Sequence, residues 1–191
     1  EQTLRSMAGL SNEEMFSPII TSTKRRALWL GINLLTAFLG AWVIGRFEDT
    51  IQQLVALAIL MPVVAGMGGI AGSQTLTIAI RGIALGHIAK TNIKPLLIKE
   101  LSIGILNGIF WSSVVAIIVI IWFGQFSLGI IIGASMMINL IIAALAGATI
   151  PIILKHYGID PAIAGGVILT TVTDVVGFIT FLGLATIFLI G

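Results

Sequence analysis

Asp174 is a carboxylate in the middle of residues 161–191, a stretch that is otherwise almost entirely apolar and long enough to cross a bilayer. A charged side chain at the centre of a membrane costs about 2.5–3.5 kcal/mol or more, so it persists where it has a partner, a water-filled cavity or an ion. We expect no other full negative charge at membrane depth. These properties predict that Asp174 contacts a cation.

Three threonine hydroxyls lie close to this carboxylate in the segment TTVTDVVG, residues 170–177. Residues three and four apart share a helix face, so two of the threonines face the same way as Asp174. We expect a metal site formed by Asp174, Thr170, Thr171 and Thr173. The alternative is that Asp174 is hydrogen-bonded to an amide of a neighbouring helix, the candidates being Asn33, Asn107, Asn139 and Gln74.

A second unusual stretch is MPVVAGMGGIAGSQT, residues 61–75, where a proline and four glycines weaken a helix. Irregular backbone at membrane depth is tolerated only where protein buries it or water lines it. Ser73, Gln74 and Thr75 add polar atoms next to the glycines, which favours an ion path. The pore-lining candidates are Gly66, Gly68, Gly69, Gly72 and Gln74 here, Gly166 in the last span and, as a secondary candidate, Asn139. The alternative is close helix packing through small residues such as Gly68 and Gly72.

The composition indicates an all-α membrane protein. Of 191 residues, 58% are hydrophobic and 9% charged, whereas a soluble domain has about a quarter charged residues. The absence of cysteine excludes disulfides and thiolate metal sites. No cleavable signal peptide is expected, because the N-terminus is polar.

The apolar blocks predict five spans, at about residues 27–45, 51–80, 96–123, 128–154 and 161–191. The last begins at Asp160 and Pro161, which suit a helix N-terminus. Residues 27–191 are therefore expected to form one transmembrane domain. Residues 1–26 are polar, and some of their apolar side chains fall near helical spacing, so we expect a short cytoplasmic amphipathic helix there.

The basic residues predict the orientation. With five spans, nine of the ten lysines and arginines fall on one side of the membrane, and only Arg46 falls on the other. Basic residues are enriched on the cytoplasmic side, which places the N-terminus in the cytoplasm and the C-terminus outside.

One carboxylate per chain is a sparse site for a dication, but a two-fold dimer presents two to the same ion. Hard dications take oxygen ligands, and magnesium is often held through its waters by one or two carboxylates. Carboxylate, hydroxyl and carbonyl oxygens fit that chemistry, and soft ligands for copper or zinc are lacking.

Several motifs resemble the membrane domain of the MgtE family of magnesium channels and transporters. They are the glycine-rich stretch, the run DPAIAGGVILTTVTDVVGFITFLGLAT (residues 160–186), GRFE (45–48), Arg81-Gly82, and Asn139 with Gly147 and Pro151. The resemblance implies a homodimer in the cytoplasmic (inner) membrane. It also implies an axial pore lined by spans two and five, and Asp174 as the main carboxylate for hydrated Mg²⁺.

The resemblance further implies cytoplasmic N and CBS regulatory modules, joined to the membrane domain by a plug-like helix that residues 1–26 resemble. The modules are absent from this sequence, which is either a trimmed piece or a short relative. Ile70 stands where many family members have Asn, which removes an amide oxygen from the filter. The transported ion is therefore expected to be Mg²⁺, with Mn²⁺ and Co²⁺ as alternatives. The sequence fits a channel and a carrier equally.

Two other functions fit the pattern less well. A proton-coupled transporter of another solute could use Asp174 as its proton site, but it would usually need a larger chain with inverted repeats. A non-transporting assembly subunit could use Asp174 to join helices. An enzyme is not expected, since no HExxH, GxSxG or Ser/His pairing occurs in the spans, and no nucleic-acid partner is expected either.

Overall fold

The computed structural model describes residues 18–88 and 92–190, and no strand occurs among them. The helices are α1 (Ile19–Gly45), α2 (Glu48–Gln53), α3 (Ala56–Ala84), α4 (Ile93–Phe123), α5 (Phe126–His156) and α6 (Pro161–Ala185), which continues as a π-helical turn, Thr186–Ile190. All except α2 are long and apolar enough to cross a membrane. The predictions of an all-α fold and of five helices that could span a membrane are therefore confirmed.

The first and second spans differ from their predicted bounds. Helix α1 begins at Ile19, eight residues before the predicted start of the first span. The basic cluster at residues 24–26 therefore lies in the first two turns of this helix. Most of the expected connecting helix, residues 1–17, lies outside the described residues. The second span begins at Ala56, because residues 48–53 form the separate helix α2, whose first turn is acidic and which ends at Leu54 in a non-helical conformation.

Local sequence signals fix the ends of two helices. The Asp160 carboxylate accepts a hydrogen bond from the Ala162 amide at 2.9 Å, and Pro161 occupies the first helical position, as the sequence predicted. Helix α4 ends at Gly124, whose φ of +67° is left-handed and favours glycine. Helix α5 can therefore start two residues later and run back beside α4.

Helix α5 is the centre of the bundle and packs against α3, α4 and α6. Small residues permit these contacts. A Cβ on Gly147 would lie 2.6 Å from the Gly72 carbonyl oxygen of α3, and a Cβ on Gly104 would lie 2.8 Å from Cβ of Ala144. Backbones that approach this closely gain packing contacts that lipid cannot supply. The result is a fixed pairing of α3 with α5.

Helix α6 packs beside α3 on the same central helix, while α1 lies at the edge of the bundle against α6. Many large apolar side chains of α1 are exposed, including Leu30, Leu35 and Phe38, which suits contact with lipid. Two apolar clusters hold α3, α5 and α6 together, one around Leu57, Ile132 and Phe181 and one around Leu76, Leu154 and Leu169. Between them, α3 and α6 form the walls of a groove.

Candidate functional site

A groove of about 740 Å³ opens on the surface of the bundle between α3 and α6, halfway along both helices. We call it the central groove. Its lining residues are Ala65, Gly66, Gly69, Ile70, Ser73, Gln74, Thr77, Ile78, Thr170 and Asp174. Those from α3 recur at three- and four-residue spacing, so one stripe of that helix forms a whole wall. The stripe combines bare backbone at the glycines with hydroxyl and amide groups.

Asp174 projects from the other wall and is partly buried. Its carboxylate makes no hydrogen bond or ion pair with any residue that the structure describes, and the same holds for the Gln74 amide across the groove. The predicted alternative, an Asp174 bonded to an amide of a neighbouring helix, has no support among the described residues. The carboxylate is thus free to meet a cation that enters the groove.

The three threonines predicted beside Asp174 separate in the structure. Thr170 lines the groove, whereas Thr173 is fully buried and Thr171 lies outside the groove lining. Each hydroxyl donates to a carbonyl of its own helix, at 2.9 Å from Thr170 to Gly166, 2.8 Å from Thr171 to Val167 and 3.1 Å from Thr173 to Thr170. Of these hydroxyls, the Thr170 oxygen is the one that shares the groove with Asp174.

The glycines of α3 divide between two roles. Gly66 and Gly69 line the groove, and Gly66 has nothing within 4 Å of its Cβ position. Gly68 and Gly72 are buried behind the groove, against Asn139 and Leu169 respectively. The ion-path interpretation therefore suits the first pair, and the packing alternative suits the second. Gly166 on α6 has open space around it but does not line the groove.

Asn139 is fully buried behind the groove rather than along it. Its Nδ2 donates to the Val64 carbonyl of α3 at 2.9 Å, and its Oδ1 has no hydrogen-bond partner among the described residues. A Cβ on Gly177 of α6 would lie 2.9 Å from the same Nδ2. The amide therefore contacts both helices that form the groove walls.

Glu100 corrects the expectation that Asp174 is the sole carboxylate at membrane depth. It lies two turns into α4, is 3% exposed, and accepts a hydrogen bond from the Thr75 hydroxyl at 3.0 Å. Thr75 lies on the face of α3 that is turned away from the groove. The sequence offered one signal, a glutamate inside an apolar block next to Lys99, but it did not indicate which way the side chain points.

Among the residues that the structure describes, Asp174 supplies the one carboxylate of the groove. Within residues 18–88 and 92–190, no three His, Cys, Asp or Glu side chains come together as a metal site. The described residues therefore form an open groove with one carboxylate and a few hydroxyl and amide groups, rather than a closed metal cage.

Comparison with known proteins identifies the family. A family model described as "MgtE: Divalent cation transporter" matches residues 61–184, which contain the whole groove. The chain belongs to the MgtE family. The resemblance drawn from the motifs is thereby confirmed, and so is the expectation that the chain is not an enzyme.

Three relatives, each called "Magnesium transporter MgtE", share this region. The Bacillus subtilis relative is 39% identical over 165 residues, which cover 86% of this chain and 37% of the relative. The Enterococcus faecalis relative is 28% identical over 183 residues, which cover 96% of this chain and 40% of the relative. The Thermus thermophilus relative is 30% identical over 164 residues, which cover 86% of this chain and 36% of the relative. This chain thus spans well under half the length of these MgtE relatives.

Proposed function

We propose that this chain forms one half of a membrane pore for a divalent cation, with Mg²⁺ as the transported ion and Asp174 as the carboxylate that contacts it. The observation that carries the proposal is a partly buried carboxylate, without a partner among the described residues, in an open groove that also holds hydroxyl and amide groups halfway along two membrane helices. The names of the three MgtE relatives support magnesium as the ion.

The exposure of the groove is the reason to propose a second copy. Ser73 and Gln74 are exposed on the surface of a bundle that crosses the membrane, and their side chains bond to no described residue. Lipid tails cannot satisfy such groups, and polar residues in membranes face protein or a water-filled cavity. A second copy, placed with its groove facing the first, would close both. The two-fold axis would then bring two Asp174 carboxylates to one path.

The lining favours a hydrated hard cation. The groove offers carboxylate, hydroxyl and amide oxygens, and its lining, as far as the structure describes the chain, contains no cysteine, methionine or histidine. Magnesium dehydrates reluctantly and usually keeps several waters. Six waters need roughly 180 Å³ at about 30 Å³ each, and the open groove of about 740 Å³ has room for that many. We infer that Asp174 binds Mg²⁺ largely through its water shell.

The distribution of charge supports a direction across the membrane. Arg81, Lys94 and Lys155 lie at one end of the bundle, at the ends of α3, α4 and α5, whereas Arg46 lies at the other. We propose that the basic end faces the cytoplasm, by the positive-inside rule. The relatives have more than half of their length outside the matched region, which leaves room in such proteins for the regulatory modules that the resemblance implies.

Magnesium flux into liposomes tests the proposal. Asp174→Asn keeps the shape of the side chain and removes its charge, so the flux should fall by at least tenfold while the protein stays folded. Asp174→Ala should abolish the flux. The matched control is Asp49→Asn, an exposed carboxylate in α2 outside the spans, which should leave the flux within twofold of the wild type.

Unchanged magnesium flux in Asp174→Asn would refute the assignment of this carboxylate. A proton-coupled carrier would give a different result. Solute uptake would follow an imposed pH gradient, and magnesium would not enter the liposomes without that gradient.

A further inference from the structure

A second cavity, of about 700 Å³, lies at the basic end of the bundle and shares no lining residue with the central groove. We call it the basic-end cavity. It lies between the end of α3, the beginning of α4 and the end of α5. Because membrane helices begin and end near the headgroups, this cavity lies at the boundary between hydrocarbon and water.

The wall of the cavity is apolar. Five isoleucines from three parts of the chain form it: Ile83, Ile88, Ile93, Ile152 and Ile153. Ile88 folds back onto α3, where its side chain would lie 3.2 Å from a Cβ on Gly82. Ile153 is 52% exposed, so the apolar surface is open rather than sealed by protein. An apolar wall that opens toward the bilayer suits an acyl chain.

The rim of the cavity is polar and basic. Lys155, His156 and Tyr157 follow one another at the end of α5, and all three are exposed. The His156 and Tyr157 rings meet edge to face with centroids 5.6 Å apart. Lys155 makes no ion pair or hydrogen bond with any residue that the structure describes. Its ammonium group is therefore available to an anion, with hydrogen-bonding groups beside it.

The surroundings favour a negative ligand. Arg81, Lys94 and Lys99 are also exposed at this end, and Asp160 is the exposed carboxylate there among the described residues. Basic pockets between membrane helices bind the headgroups of anionic lipids, and long basic side chains hold their charge at headgroup level while their stems cover apolar surface. A soluble anion would use the rim and leave the isoleucine wall without a function.

We propose that the basic-end cavity binds an anionic phospholipid. One acyl chain lies along the isoleucines, and the phosphate accepts hydrogen bonds from Lys155 and from the neighbouring His156 and Tyr157. This site is separate from the central groove and does not depend on the proposed transport of magnesium.

Lipid selectivity of the purified full chain tests this assignment. Binding of phosphatidylglycerol and phosphatidylcholine with the same acyl chains is compared by native mass spectrometry and by the shift in unfolding temperature in detergent. The wild type should prefer phosphatidylglycerol. Lys155→Gln should reduce that preference about fivefold, and Lys155→Arg should retain it.

The matched control is Lys94→Gln, which removes the same charge from the same end but does not line the cavity. It should keep the preference within twofold. Equal losses in Lys155→Gln and Lys94→Gln would mean diffuse attraction to the surface and would overturn the site. Equal stabilisation by glycerol phosphate, which has the headgroup chemistry without acyl chains, would overturn the lipid as its ligand.

Discussion

Asn139 links the two walls of the central groove from behind. Its amide donates to the Val64 carbonyl of α3, and both Gly68 of α3 and Gly177 of α6 pack against it. Gly69, next to Gly68, lines the groove, and Asp174 lies one turn before Gly177. A side chain with no exposure to the groove therefore sets the spacing of the groups that face it.

Replacing Asn139 should affect both stability and transport. Asn139→Ala removes the hydrogen bond to α3 and leaves a gap between two glycines, which should cost about 1–2 kcal/mol. Magnesium flux should fall as well, because the walls lose their fixed spacing. The matched control is Asn107→Ala, since Asn107 is exposed on α4 and bonds to no residue described in the structure. Similar unfolding temperatures and fluxes for both variants would rule out this role for Asn139.

Ile70 lines the central groove at the position where the family resemblance led us to expect Asn. It lines the groove at the middle of α3 and is 60% exposed. Ile70→Asn adds an amide oxygen and donor near the ion path, so the ratio of Mg²⁺ to Mn²⁺ and Co²⁺ flux should change. Ile59→Asn is the control, because Ile59 is 52% exposed on the same helix outside the groove. Identical ion ratios in both variants and the wild type would remove position 70 from the filter.

At the scale of the helices, the approach of α3 to α5 decides where the groove forms. Gly147 allows it, since a Cβ there would lie 2.6 Å from the Gly72 carbonyl oxygen and 2.9 Å from Cβ of Thr75. Both neighbours are fixed by their own helix, so they cannot move aside as a flexible side chain would. Any larger residue at position 147 must therefore push the helices apart.

Gly147→Ala should destabilise the bundle by about 1–3 kcal/mol, the usual cost of overpacking. Gly31→Ala makes the same chemical change in α1, where nothing lies within 4 Å of the Cβ position. That variant should be neutral or up to about 1 kcal/mol more stable, because alanine is the better helix former. Unfolding in detergent measures both. A neutral Gly147→Ala would mean that α3 and α5 are not in such close contact.

The sequence predicted the existence of these helices better than their orientation. Long apolar blocks and the Asp160-Pro161 start give the spans directly, because length and capping are local properties. The rotation of each helix is not local. All four clustered glycines were pore-lining candidates, with packing as the alternative for Gly68 and Gly72. These two face inward, where α5 presents Asn139 and Gly147 to them. Glu100 was missed for the same reason, since its burial depends on Thr75 of another helix.

On the scale of the whole molecule, the pore proposal requires that two copies meet at the central groove. The chain contains no cysteine, so single introduced cysteines report on contacts without a background. Ile70→Cys in the groove should cross-link two copies through a short bismaleimide in the membrane. Ile121→Cys, 78% exposed on α4 and outside the groove, should not. Cross-linking at position 121 with none at position 70 would place the dimer contact on another face.

Ion density in an experimental structure of the protein with bound Mn²⁺ tests the central claim most directly. Manganese occupies octahedral oxygen sites as magnesium does, and its anomalous scattering identifies it. We expect one anomalous peak of manganese on a two-fold axis between two Asp174 carboxylates. Oxygens about 4 Å from the ion would mean a hydrated ion, and 2.0–2.1 Å is the distance for directly bound magnesium. A groove that faces lipid, or a pair of Asp174 side chains too far apart to share an ion, would contradict the central claim.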